Sequence, residues 1–322
     1  MTFDPRQTYV HLLGVPEARR FRCGDGRGVR VFAVEYSVQE GHPDIDENIR
    51  VIGTEYDPAG SGLLGHGTRT AGVISGDAGD GGIEGIAPGA EFIFCAAWAG
   101  VVPWLEMLDL ARPGDVVSFS VSDLNTFGEQ RPIHHRWNDQ VRRLEQKGAD
   151  VFMAAGNSSY FVEVSERAGT VVGATNRDGT LPLASSGHGP GVAYCAPGEG
   201  VWTTEPGGHG NYGQTSAATP QVAACKAILT AIGREYDRKP VMIGREVSGR
   251  VQGRIRTVGV LPDVRRSLMA MFDWPVEADV DGDSRIGFGD FLAGIKSRKG
   301  TAAYRWLIDV LGPNYGRRWP ET

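Results

Sequence analysis

Long apolar runs are missing from this chain of 322 residues. None approaches the roughly 20 residues needed to cross a bilayer, which argues against a membrane span. The first residues, MTFDPRQTYVHLLG, show no basic patch leading into an apolar core. No secretory signal is therefore expected, and the expected location is cytoplasmic. Cysteine is scarce. Cys23, Cys95, Cys195 and Cys225 are far apart and form no Cys-x-x-Cys pair, a pattern of buried free thiols rather than a disulfide framework or a thiolate metal site. An excess of positive charge is lacking too: 33 Lys and Arg against 39 Asp and Glu leave a net charge of −6, which argues against a nucleic-acid or anionic-membrane partner. There is no long repeat and no low-complexity tract.

What the chain does have is glycine, 46 residues, and with it the means for many tight turns and close backbone approaches. Hydrophobic residues make up 41%, enough for a sizeable core. Short apolar runs alternate with helix-like segments. Strands are expected at 29–36, 91–98, 115–121, 150–156 and 170–175, where β-branched residues follow one another without polar alternation, as in strands covered on both faces. Helices are expected at 66–76, 134–148, 215–232 and 259–272. Such alternation implies an α/β architecture with a mostly parallel sheet and functional groups at the strands' C-terminal ends. A boundary is placed near Asp273, where the composition turns acidic and glycine-rich, giving two units, residues 1–272 and 273–322.

Four places carry chemistry. The run VFAVEYS ends a buried strand on Glu35, and a carboxylate there is costly to bury without a partner. GHGTRTAG puts His66 at the start of a helix. MAAGNSS ends a strand in Gly156 and Asn157. QTSAATPQVAA places Ser216 at a helix N-terminus, with Pro220 expected in the first turn, where proline is tolerated. Each alone fits a structural role: a histidine as a hydrogen-bond partner, an asparagine in a turn, a serine as a cap. Their occurrence together and in this order is what points to a site.

With these motifs the chain resembles the subtilisin-like serine proteases (subtilases, peptidase S8). That family's histidine block reads HGT-x-x-AG, matched by His66–Gly72. Its oxyanion block reads AAGN, matched by Ala154–Asn157, and its nucleophile block reads GTS-x-A-x-P-x-VA, matched from Thr215 to Ala223 with Gln214 in place of the leading glycine. Weaker agreements lie at HPDI (42–45), GIAPGAEF (85–92) and CAPG (195–198), and the likeness covers roughly residues 28–272. It implies a three-layer α/β subtilisin-like fold with a central, mostly parallel sheet. It also implies a catalytic set in which Ser216 is the nucleophile, His66 the base, and Asn157 with the Ser216 N–H the oxyanion donors. Where the family has Asp-Thr-Gly this chain has Glu35-Tyr36-Ser37, so Glu35 takes the third place of a variant Glu-His-Ser triad. An extended peptide or protein substrate is expected beside Ser120, Val121 and Ser122 on one side and Ala154, Ala155 and Gly156 on the other. Gln214 and Ser37 both stand where the family keeps glycine. Three readings stay open: an endopeptidase, a maturation protease or macrocyclase (transpeptidase) of a natural-product pathway, and an impaired peptide-binding pseudoprotease.

Downstream, DVDGDSRIGFGD has the spacing of a twelve-residue EF-hand or dockerin-like calcium loop. Asp279, Asp281 and Asp283 fall at positions 1, 3 and 5, the Arg285 carbonyl at 7, and Asp290 at 12. Position 6 is Ser284 rather than glycine, and position 12 is Asp rather than Glu. A small helical C-terminal segment with a structural Ca2+ is therefore expected.

Overall fold

The computed structural model describes residues 3–45, 49–55, 63–77, 82–98, 101–124 and 128–272. In chain order the elements are α1 (Thr8–Leu12), α2 (Val15–Ala18), β1 (Arg30–Glu35), β2 (Arg50–Gly53), α3 (Leu63–Ser75), β3 (Glu91–Ala96), α4 (Trp104–Leu110), β4 (Val116–Phe119), β5 (Asp123–Leu124), β6 (Gln130–Arg131), α5 (His134–Gln146) and β7 (Asp150–Ala154). There follow β8 (Thr170–Thr175), β9 (Val192–Pro197), β10 (Val201–Glu205), β11 (Gly208–Tyr212), α6 (Gln214–Glu235), β12 (Gly244–Val251), β13 (Arg254–Pro262) and α7 (Val264–Met271).

Nine strands form one sheet in the order β12-β13-β9-β8-β7-β4-β1-β3-β2. Every pairing is parallel except the β12–β13 hairpin at one edge. The chain moves from β1 outward to β2 and β3 on one side, then crosses back to β4 on the other. The C-terminal end of β1 is thus a topological switch point, where neighbouring connections diverge and leave a crevice.

The residues of β1 alternate between two cores. Val31 and Ala33 join one apolar cluster with α3 and α6, whereas Phe32 and Val34 join the other, with residues of α4 and α5. This two-sided burial is why the strand reads as an unbroken apolar run, and it produces three layers. Side chains alternate along a strand, so Glu35 falls on the face of Val31 and Ala33, toward α3 and α6. Helix α6 carries Ala217, Ala218, Ala223, Ala224 and Ala227 at 0% exposure, and this small-residue surface lets it lie close against the sheet. All four cysteines are buried and free. No helix of the described residues is long and apolar enough to cross a membrane.

Two local expectations need correction. Residues 259–262 end β13 rather than begin a helix, and the last described helix starts at Val264 behind the cap of Asp263, whose side chain accepts from Arg266 N. Pro220 lies in the second turn of α6, not the first. There its ring removes the N–H that would have served the Ser216 carbonyl. The boundary near Asp273, the calcium-loop residues Asp279, Asp281, Asp283, Arg285 and Asp290, and the helix expected after them lie outside the described residues.

Helix α3 reaches β1 through Gly67. A methyl group there would collide with the Ser37 carbonyl oxygen and stand 2.9 Å from Phe94 Cζ. The backbone oxygen cannot give way without moving the end of β1. Gly67→Ala is therefore expected to destabilise the protein by about 1–3 kcal/mol, read from the denaturant midpoint at constant slope.

Candidate active site

Glu35 ends β1 with 0% exposure, and both of its oxygens are used. Oε2 lies 2.6 Å from His66 Nδ1, and Oε1 accepts from the Thr70 hydroxyl at 2.6 Å. Both partners come from α3. His66 and Thr70 are four residues apart, so they share one helix face and reach the carboxylate together. With Nδ1–H given to the carboxylate, Nε2 would carry the free lone pair that a general base requires.

The hairpin β10–β11 holds α3 in place. Thr204 Oγ1 donates to the Thr68 carbonyl at 2.6 Å, Thr203 Oγ1 to the Arg69 carbonyl at 3.1 Å, and Arg69 forms a two-pronged ion pair with Glu205. The hairpin's last residue, Tyr212, reaches the site. Its hydroxyl lies 3.0 Å from Thr70 Oγ1 and 3.3 Å from each ring nitrogen of His66. Two phenol rings stand edge-on to the imidazole, Tyr212 at 5.3 Å and Tyr36 at 5.4 Å between centroids. Burial, and then the Glu35 charge, push Tyr36 up to about 12 and Tyr212 well above the usual range, so both phenols stay neutral.

Ser216 sits in the first turn of α6, where its backbone N–H is one of those a helix start leaves without an intrahelical acceptor. Asn157 faces it from the end of β7. Its Oδ1 accepts from Thr215 N at 3.0 Å and Thr215 Oγ1 at 2.8 Å. Two donors on that oxygen fix the amide orientation and turn Nδ2 away from Thr215. The backbone N of Asn157 donates to Gln130 Oε1 at 3.0 Å. Gly156 before it has φ +85°, and a Cβ there would collide with the Gln130 carbonyl, so glycine is required. Ala155 N donates to the Val172 carbonyl at 2.9 Å, continuing β7.

The structure thus brings Glu35 to His66, and Asn157 to the turn that carries Ser216. Among the described residues, the His66 ring nitrogens contact Glu35 and Tyr212 rather than Ser216. The expected substrate wall, Ser120, Val121 and Ser122, continues from β4 without entering a strand, and Val121 and Ser122 line a cavity of about 300 Å³ with Tyr36, Trp98, Ile133 and Trp137. Trp137 interrupts α5 with non-helical dihedrals (φ −120°, ψ 31°) at this wall. Among the described residues, no group of three or more His, Cys, Asp or Glu could hold a metal ion.

Sequence reasoning missed Thr70 and Tyr212. Thr70 was accessible, four residues after His66 in a helix. Tyr212 was not, because its place depends on a hairpin that no alternating pattern announces.

Residues 26–243 match the Subtilase family. The chain is 28% identical over 228 residues to an intracellular serine protease of Paenibacillus polymyxa, covering 63% of this chain and 67% of that protein. It is 26% identical over 252 residues to thermitase of Thermoactinomyces vulgaris, covering 72% and 85%. A subtilisin-like protease of Coccidioides posadasii is 28% identical over 221 residues, and this chain spans only 52% of it. Two solved structures share the fold at 21% identity. One is the prenylagaramide maturation protease PagA (TM-score 0.54; 70% of this chain and 84% of that one), the other a cold-adapted subtilisin-like serine proteinase (TM-score 0.52; 74% and 91%).

Gln214 explains its own oddity. It has φ +63°, in the left-handed region that favours glycine, and its side chain is exposed. Left-handed backbone costs a side-chain-bearing residue about 1–2 kcal/mol, while glycine makes the unfolded chain freer by about 0.4–1 kcal/mol. Gln214→Gly is therefore expected to raise stability by about 0.5–1 kcal/mol, read from the melting temperature.

Proposed function

The chain belongs to the subtilase family of serine hydrolases, and from that premise we propose that it cleaves an extended peptide through an acyl-enzyme on Ser216. Ser216 Oγ attacks the scissile carbonyl while His66 Nε2 takes its proton and then returns it to the leaving nitrogen. Glu35 holds the imidazole in its tautomer and stabilises the imidazolium that forms. Asn157 Nδ2 and the Ser216 N–H receive the oxyanion. In subtilisin, a member of the same family, removal of the asparagine donor costs a factor of about 10²–10³ in rate.

The observation that carries this reading is the 2.6 Å bond between His66 Nδ1 and the fully buried Glu35. An inert buried carboxylate would call for an Arg or Lys, and here its partners are an imidazole and a hydroxyl. Glutamate is longer than the family's aspartate by one methylene, so it makes this bond from a backbone that stands farther from the ring. The cleft wall of Tyr36, Trp98 and Trp137 suits an apolar or aromatic side chain of the substrate. Such a narrow wall also favours a second reading, a maturation protease or transpeptidase with a dedicated precursor peptide. Mass spectrometry of the products separates the two, since a ligase leaves cyclic or joined products without added water.

The test is covalent labelling by a fluorophosphonate together with peptide-library cleavage. Labelling is expected in the wild type and absent in Ser216→Ala; no Ser216-dependent labelling or cleavage would overturn the assignment. Glu35→Gln should lower kcat/KM by about 10³–10⁴, because the amide presents the wrong partner to the ring. Glu35→Asp should also lose activity, since a shorter side chain on the same strand no longer reaches Nδ1. Equal activity in Glu35→Asp would show that the site is not built around glutamate.

The loop 279–290 is read, from its sequence pattern, as a structural calcium site. Bound ion should raise stability by RT ln(1 + [L]/Kd), about 2.7 kcal/mol at a hundredfold excess over Kd. The expected result is a melting temperature that rises with calcium in the wild type and not in Asp279→Ala/Asp281→Ala. A calcium-independent melting curve in both proteins would reduce the loop to an acidic turn.

A further inference from the structure

Asn157 is held from two directions, and the reaction proposed for Ser216 explains only one of them. Its side-chain oxygen accepts from Thr215 N and Thr215 Oγ1 at the start of α6. Its backbone N–H is served elsewhere. Gly156, at φ +85°, turns the chain out of β7, and the next N–H leaves the sheet ladder. That N–H donates to Gln130 Oε1 at 3.0 Å, across 27 residues of sequence. A donor of this kind needs the oxygen of the glutamine amide, so the bond fixes which way the Gln130 side chain is turned.

Gln130 belongs to the β5–β6 hairpin, in which Asp123 pairs with Arg131 and Leu124 with Gln130. Strand β5 begins directly after Ser122, the last residue of the expected substrate wall. Strand β6 lies along the chain that follows β7. Gln130 N donates to Ser158 Oγ at 3.0 Å, and the Arg131 guanidinium stands 4.9 Å from the Tyr160 ring centre. The Gln130 carbonyl oxygen occupies the place a Cβ on Gly156 would need. The hairpin is therefore a bracket from the wall 120–122 to the end of β7. Because it docks through several contacts, losing the Gln130 side chain should not release it.

We propose that Gln130 is a positioning residue of the oxyanion site. Through the Asn157 N–H it sets where the Asn157 amide stands relative to the wall that aligns the peptide. This rests on Ser216 as nucleophile and Asn157 as oxyanion donor. Thr215 holds the amide end of Asn157 and Gln130 holds the backbone end, so the direction of Nδ2 depends on both. The oxyanion develops only as Ser216 attacks, and a displaced donor weakens the transition state while leaving the bound substrate unchanged. A misplacement of about 1 Å can cost a factor of about 10² in rate.

The test is Gln130→Ala, with folding checked by near-UV circular dichroism and kinetics measured on a cleavable peptide. We expect kcat to fall about tenfold, the worth of one hydrogen bond, with KM within about twofold of the wild type. If Gln130→Ala loosens the hairpin, Gln130→Met keeps a long side chain, removes the acceptor and should show the same loss. A double-mutant cycle with Asn157→Ala separates positioning from general weakening. Once the donor amide is gone, removing Gln130 should cost little further, whereas a merely structural role would cost the same in both backgrounds. Wild-type kcat in the folded Gln130 variants, a loss carried by KM, or an equal loss in the Asn157→Ala background each overturns the role of Gln130 and leaves the serine-hydrolase reading intact. Full kcat in Asn157→Ala would remove the donor through which Gln130 acts, and overturn the inference with that assignment. A wild type that neither cleaves nor labels at Ser216 with a fluorophosphonate would overturn the serine-hydrolase reading itself, and this inference with it.

Discussion

A carboxylate with no exposed surface governs this molecule. Removed from water, Glu35 costs several kcal/mol unless each oxygen finds a donor. Both donors are supplied by one turn of α3, the imidazole of His66 and the hydroxyl of Thr70. That demand fixes how near α3 must come to β1, and the closeness is possible only because position 67 has no side chain against the Ser37 carbonyl. The hairpin β10–β11 then braces α3 from behind through Thr203, Thr204 and Glu205, and the same hairpin delivers Tyr212 to the site. One buried charge thus organises a strand end, a helix and a ribbon that are distant in sequence.

The position of that charge follows from topology. At the switch point beside β1 the chain departs to β3 on one side and returns to β4 on the other, so a residue at the C-terminal end of β1 faces a crevice without disturbing sheet pairing. The alternation that places Val31 and Ala33 in the core of α3 and α6 also aims Glu35 there, while Tyr36 turns to the opposite side, beside Trp98. The buried carboxylate and the aromatic cavity wall are therefore consecutive residues, at and just past the end of β1, turned to opposite sides.

Much of this was legible from residues alone. The unbroken apolar runs of β1, β4, β7 and β8 revealed buried parallel strands because two-sided burial leaves no polar alternation. The alanine-rich run of α6 revealed a helix packed close to the sheet. The ordered blocks around His66, Asn157 and Ser216 pointed to a candidate site through their likeness to the motifs of one family. What escaped were features whose stability comes from distant partners. The β12–β13 hairpin carries exposed arginines and glutamate at positions 245, 246, 250 and 254, too polar to resemble a sheet edge, and so 259–262 read as helix. Tyr212 lies four residues before Ser216, and nothing local to that stretch foretells that it bends back to His66.

The turn that carries Ser216 shows how strain is distributed here. Gln214 adopts a left-handed backbone, Gly213 before it is extended, and Pro220 removes a donor from the second turn of α6. The extended Gly213 is an ordinary N-cap, whereas Gln214 and Pro220 would each weaken a helix in isolation. Together they are tolerated because Gln214 N bonds the Gly198 carbonyl at 2.7 Å and the Thr215 amide and hydroxyl both bond Asn157. The anchors follow directly on β9 and β7, so the sheet rather than the helix determines where Ser216 stands. A serine mounted this way keeps its backbone fixed while its hydroxyl remains able to rotate about Cα–Cβ.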